Sequence, residues 1–268
     1  MKIDGDHRGN NISGTDGNDI INGRGEGDWI QARNGDDWID GGKGHDLVFA
    51  GEGHDIVWGG EGSDTLYGQE GDDLLYSDAP NAPRNIPKGL EGYDVLGGGP
   101  GKDTLIAGDG IDLMKGGADA DAFVFSFHDP MIGGDRSYAI VDDFDPKQDR
   151  FTFDAKGLGG DQPGANFVDH SSGVPGSFVD TFYSGAAAHA KGQHVVVLTD
   201  QTYASASAAA KAISGENAGD IIVYHDSWTT VAMVAYVDSA NHADSFAELN
   251  HLTLADLATM TASNFAFI

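Results

Sequence analysis

The first half of the chain holds aspartates at a fixed step. Asp19, Asp28, Asp37, Asp46, Asp55, Asp64 and Asp73 recur every nine residues, and Asp94, Asp103, Asp112 and Asp121 resume the step after an interruption. Carboxylates are hard oxygen donors, and a regular array of them suits Ca²⁺, which takes about six to eight oxygen ligands. Each aspartate closes a glycine-rich hexapeptide whose backbone carbonyls are further oxygen donors. The candidate glycines are Gly17, Gly35, Gly42, Gly44, Gly51, Gly53, Gly60, Gly62, Gly71, Gly92, Gly99, Gly101, Gly108, Gly110 and Gly117. The expected cofactor is several calcium ions.

Ligands need elements to hold them. Two residues after each aspartate stands an apolar one: Ile21, Ile30, Ile39, Val48, Val57, Leu66, Leu75, Leu96, Leu105, Met114 and Phe123. The unit reads GGxGxDxUx, an internal repeat. Its hexapeptide predicts a turn and its last three residues a short strand with only U inward. Two units make one coil of a right-handed parallel β-roll, so the fold class is mainly β. A ladder of single aliphatic side chains is too thin to offset the entropy of ordering so many glycines. Calcium between stacked carboxylates is expected to supply the difference, making folding and metal binding one equilibrium. Asn10 stands at the aspartate position of a partial first unit and is expected to cap the coil. Glu26 and Asp119 replace the fourth-position glycine, where a left-handed backbone is wanted.

The interruption is assigned to residues 77–88, with three prolines, as a bulged half-turn or a surface loop. The outward strand positions carry many aromatic and aliphatic side chains. Alternation places Trp38, Ile56, Trp58, Leu74 and Tyr76 on one outer face, to be covered by the second half of the chain or to dock a partner, a second copy or a membrane.

The domain boundary is expected near residue 124, giving a 1–124 roll and a 125–268 β-rich capping domain. Strands are expected over Phe123–Phe127, Ala139–Asp142, Phe151–Phe153, Val195–Leu198, Ile221–Tyr224 and Met233–Val237. Short helices are expected over Tyr203–Ile213, Ser245–Leu249 and Leu254–Ala258. The terminal ASNFAFI, Ala262–Ile268, reads as a sealing strand or as a C-terminal export signal.

Composition narrows the partners. Among 268 residues, 15 are basic and 43 acidic, a net charge of −28, which argues against nucleic acid. With no cysteine, disulfides, thiolate metal sites and a cysteine nucleophile are unavailable. Met1–Asn10 lacks an apolar run, so no Sec-type signal is expected. No apolar stretch approaches the roughly 18 residues of a spanning helix. HExxH, GxSxG and P-loop motifs are missing, and His45, His54, His128 and His225, each followed by aspartate, are not expected to be catalytic. The chain is not expected to be an enzyme.

The GGxGxD array resembles the RTX (hemolysin-type) calcium-binding proteins. The segments HDIVW (54–58), GDDLLYSDA (71–79), FHDPM (127–131), DFDPKQDRF (143–151), FVDTFYSGAA (178–187), GDIIVYHD (219–226) and AYVDSANHA (235–243) further resemble the secreted nodulation proteins of rhizobia. That resemblance implies an extracellular protein exported by a type I ABC exporter through a C-terminal signal, binding calcium outside the cell and acting in legume nodulation. It also implies association with host membranes and cation-permeable pores. The alternative is an adhesin or polysaccharide-binding module whose aromatic face takes a surface glycan.

Overall fold

A computed structural model describes residues 1–79, 92–126, 137–153, 177–179 and 181–267. Most of the expected 77–88 interruption and the FHDPM segment lie outside these residues. The chain forms two compact units, Met1–Ser126 and Phe127–Ile268.

The first unit is built of short strands: β1 (Lys2–Asp4), β2 (Asn11–Ser13), β3 (Ile20–Asn22), β4 (Trp29–Asn34), β5 (Trp38–Lys43), β6 (Leu47–Glu52) and β7 (Ile56–Glu61). They continue as β8 (Thr65–Glu70), β9 (Leu74–Tyr76), β10 (Val95–Pro100), β11 (Thr104–Ala107), β12 (Gly110–Ala118) and β13 (Ala122–Phe125). Odd strands pair in parallel in the order β1-β3-β5-β7-β9-β11-β13, and even strands likewise from β2 to β12. Ile30 faces Val48 and Ile39 faces Val57, so two nonapeptides make one coil of a parallel β-roll.

The U side chains form the core: Ile21, Ile30, Ile39, Val48, Val57, Leu66, Leu75, Leu96, Leu105, Met114 and Phe123 are all buried. The expectation of a three-residue strand with one inward side chain is corrected. Several strands run six residues, and Ala32, Ala50 and Ala107, at the first position of their units, are also fully buried. Inward alternation continues two residues beyond U, and so close to the tight turn only a small side chain fits there.

The interruption is also re-phased. Thr65 pairs with Val95 and Leu74 with Thr104, a step of 30 residues where neighbouring rungs use 18. Ser77, Asp78 and Ala79 occupy the first three positions of a unit and Gly92 the fourth, so the additional residues are 80–91 rather than 77–88. Ser77 is fully buried, its N–H donating to the Ile106 carbonyl and its Oγ accepting from Gly108 N–H. Because β8 and β10 are direct neighbours, the bulged half-turn is overturned.

The second unit contains β14 (Ser137–Val141), β15 (Arg150–Phe153), β16 (Ser177–Phe178), β17 (Phe182–Gly185), β18 (Val195–Tyr203), β19 (Ile221–Asp226), β20 (Ala232–Ser239), β21 (His242–Leu249) and β22 (Phe265–Phe267). β17, β18 and β19 pair in parallel, β19, β20 and β21 antiparallel, and β21 pairs parallel with β14. Helix α1 (Ala206–Ala212), capped by the Ser205 side chain, buries Ala206, Ala209 and Ala210 in a cluster with Val196, Leu198 and Tyr224. Helix α2 (Leu254–Leu257) opens on a Thr253/Asp256 capping box. The helix expected over Ser245–Leu249 is a strand, because pairing with β20 overrides local helix propensity. Phe265–Phe267 are buried between β15 and β16, so the tail is an interior strand rather than an edge.

Candidate metal centre

The repeat brings its aspartates into two columns, one from each set of alternate units. All of them, from Asp19 to Asp121, are buried, with at most 3% of their surface exposed. Their geometry is uniform along most of the stack. One carboxylate oxygen, Oδ1, accepts the backbone N–H of the aspartate 18 residues earlier: Asp28 N–H to Asp46 Oδ1 at 2.7 Å, Asp46 N–H to Asp64 Oδ1 at 2.8 Å, Asp37 N–H to Asp55 Oδ1 at 2.7 Å. The same bond spans the 30-residue step, from Asp64 to Asp94 at 2.7 Å and from Asp73 to Asp103 at 2.8 Å. Asn10 fills the first place in the even column, its N–H donating to Asp28 Oδ1 at 2.6 Å.

The other oxygen is the informative one. Oδ2 of Asp28, Asp37, Asp46, Asp55, Asp64, Asp73, Asp103 and Asp112 is buried and meets no hydrogen-bond donor among the described residues. A buried carboxylate oxygen without a partner costs several kcal/mol unless a cation or proton satisfies it. Backbone carbonyls face the same space. A Cβ on Gly41 would stand 2.5 Å from Asp46 Oδ2 and 2.6 Å from the Gly59 carbonyl, and one on Gly59 would stand 2.5 Å from both Asp64 Oδ2 and the Ser77 carbonyl. The first position of each unit holds only Gly, Ala or Ser, the smallest side chains.

The candidate glycines build the wall of the turn. Gly35, Gly42, Gly44, Gly51, Gly53, Gly60, Gly62, Gly71, Gly99, Gly101, Gly110 and Gly117 have positive φ, whereas Gly17, Gly92 and Gly108 do not. Many lie directly over the carbonyl of the residue one coil earlier: Gly60 over Gly42, Gly62 over Gly44, Gly71 over Gly53 and Gly117 over Gly99. No side chain fits between them, and the carbonyls stack in columns beside the carboxylates. Glu26 and Asp119 also have positive φ without glycine, at 59° and 78°, in the left-handed region rather than at the wider φ of Gly44 or Gly62.

Electrostatics follow from this crowding. Burial first, then neighbouring carboxylates, raise the aspartates against the pull of their backbone N–H donors. Asp37, Asp46 and Asp73 rise to about 6, Asp55, Asp64 and Asp103 to about 7, and Asp94 to about 8. Asp112 is also raised well above the ordinary range, by its complete burial and then by Asp94 and Asp78. Asp19 differs: burial is outweighed by the terminal ammonium of Met1, 2.6 Å from Oδ1, and by Thr15, lowering it. Its carboxylate is satisfied by protein groups.

Two contributors escaped the repeat pattern. Asp78 stands at the second position of the re-phased unit, its Oδ2 accepting Asp109 N–H at 3.0 Å, close enough to raise Asp94 and Asp112. The first-position carbonyls, such as Gly59 and Ser77, were hidden because glycine there looked like turn chemistry alone. The fifth-position residues form a ladder of side-chain acceptors and backbone donors: Asn18 to Asp36 N–H, Asp36 to His54 N–H, His54 Nδ1 to Asp72 N–H and His45 Nδ1 to Ser63 N–H. His45 and His54 therefore serve as backbone acceptors along the stack.

Acceptor-only oxygens, carboxylate and carbonyl, converging without donors form a donor set for a hard cation. The sequence matches the RTX calcium-binding nonapeptide repeat family over residues 5–26, 13–48, 23–57, 49–79 and 97–125. The first unit is thus an array of RTX calcium-binding repeats folded as a parallel β-roll. Over 158 residues the chain is 56% identical to Nodulation protein O of Rhizobium leguminosarum bv. viciae, a match covering 55% of this chain and 56% of that protein. The match spans just over half the length of this relative.

Proposed function

We propose that this chain is an extracellular protein of the rhizobium–legume interaction that folds when it meets calcium outside the cell. The observation that carries the reading is the row of buried Oδ2 atoms without donors, running from Asp28 to Asp112. In this reading Ca²⁺ is held by the repeat aspartates together with the carbonyls of the first, second and fourth positions of neighbouring units, and it supplies the positive charge the ladder lacks. The chain's own residues do the rest: from Asp28 onward Oδ1 of each carboxylate is fixed by a backbone N–H, which aims Oδ2 toward the carbonyl column.

The nodulation role comes from the likeness to Nodulation protein O. Export through a type I ABC system fits a chain that stays unfolded where calcium is scarce, since β22 is buried in the folded unit and is free to act as an address only before folding. Host membranes are the proposed place of action. No helix among the described residues is long and apolar enough to cross a bilayer, and a net charge of −28 needs calcium to approach anionic lipid. Cation-permeable pores would then require assembly or refolding. The role is non-enzymatic in this proposal. Two assays test it: nodulation by a strain lacking the protein, complemented with wild type or with a chain carrying Asp46→Asn, Asp55→Asn and Asp64→Asn, and liposome conductance with and without calcium. Equal complementation by the triple variant would overturn the calcium step, and absence of conductance at millimolar calcium would overturn the pore.

A further inference from the structure

The even sheet carries an outward row of ninth-position side chains, Gln31, Phe49, Tyr67, Gly97 and Lys115, in register on β4, β6, β8, β10 and β12. Phe49 and Tyr67 stack with ring centroids 5.3 Å apart and planes 20° from parallel. At Gly97 the row has no side chain, and a cleft of about 360 Å³ opens there, lined by Tyr67, Gln69, Gly97, Gly99 and Lys115 among others. Two strand spacings, about 10 Å, separate the Tyr67 and Lys115 rungs. The Tyr67 ring leans toward Gly97, its Cδ1 3.1 Å from where a Cβ there would stand, so a flat ring enters the gap on the Lys115 side. The odd sheet has no such gap, with Trp58 and Tyr76 stacked 5.4 Å apart.

Among the described residues, Lys115 is the one charged residue lining the cleft. It is exposed and makes no ion pair among the described residues, a state it shares with Lys102 and Lys191, but it alone of these lines the cleft. In a chain with 43 acidic residues, a cation left without a carboxylate beside an interrupted aromatic stack is a complementary site for an anion.

We propose that this cleft binds a uronic acid residue of an acidic polysaccharide. The apolar face of the sugar ring continues the Phe49–Tyr67 stack above Gly97. Its carboxylate meets the Lys115 ammonium, and its hydroxyls face the Gln69 amide and the glycine backbone. Such a mostly apolar cleft with a few convergent polar groups has the usual composition of a small-ligand site. The proposal stands apart from the nodulation reading, because it rests on the cleft alone.

The test is calorimetric titration of the full chain in saturating calcium with a glucuronic acid trisaccharide, its methyl ester and the neutral glucose trisaccharide. The acid is expected to bind at least about tenfold more tightly than the other two. Lys115→Gln should bring the acid to the level of the ester. Gly97→Phe, whose Cβ would stand 3.1 Å from Tyr67 Cδ1 and shift that exposed ring, should block binding while calcium-dependent circular dichroism stays unchanged. Equal binding of acid and neutral sugars, undiminished binding by Gly97→Phe with its fold intact, or no binding by wild type at about 10 mM sugar would overturn the proposal. Lys115→Gln is a surface change and keeps the test decisive should Gly97→Phe misfold.

Discussion

Acid should replace calcium in holding the roll. In the metal-free ladder, burial and then the neighbouring Asp46 and Asp78 lift Asp64 from an ordinary 3.8 to about 7. Raised carboxyls favour the fold when protonated: their support is complete below the unfolded value and is lost as pH rises through the folded one. At about 1.4 kcal/mol per pH unit, Asp64 alone disfavours the metal-free fold by about 4 kcal/mol at pH 7.5 and by only about 1.5 kcal/mol at pH 5. Asp55, Asp94 and Asp103 behave alike, standing at about 7, 8 and 7. All four shift in the same direction, so protonation between pH 7.5 and 5 returns a large part of the stability a typical domain has. The structural reason is direct: a proton on Asp46 Oδ2 or Asp64 Oδ2 makes a donor facing the Gly59 or Ser77 carbonyl. Far-ultraviolet circular dichroism in chelator, scanned from pH 7.5 to 5, should show β structure returning with a midpoint between about 6 and 7. A chelated spectrum that is the same at both ends, folded or unfolded, would rule out protonation as the substitute for calcium.

Other perturbations separate backbone from ligand effects. Gly62→Ala sets a Cβ against the Gly44 carbonyl at φ 140°. It should cost more than about 2 kcal/mol and raise the calcium midpoint of folding severalfold. Asp119→Gly relieves a non-glycine residue at φ 78°, and calcium-loaded thermal unfolding should gain about 1 kcal/mol. Deleting residues 80–91 restores the 18-residue step between Thr65 and Val95. The deleted chain should keep its calcium-dependent spectrum and bound-ion stoichiometry, measured by equilibrium dialysis.

The roll was largely legible in sequence because two periods coincide in it. Aspartate and U residues recur every nine positions, and each U proves to be a fully buried rung. Placement of Trp38 beside Trp58 and of Trp58 beside Tyr76 also followed from alternation. Three features were hidden for physical reasons. Ser77, Asp78 and Ala79 continue the coil without glycine, so their phase is visible only through the Leu74–Thr104 register. The first-position carbonyls carry no side-chain signature. Ser245–Leu249 has ordinary helix formers, and only its partner strand decides its state.

Calcium-coupled folding is read most directly by circular dichroism of the full chain at pH 7.5 during a calcium titration from chelator. The roll should be disordered in chelator and gain β structure cooperatively as calcium is added, because the carboxylates at the eight donorless Oδ2 positions cannot all be ionised and buried without a cation. A roll already folded in chelator at that pH would show that calcium is not what holds it.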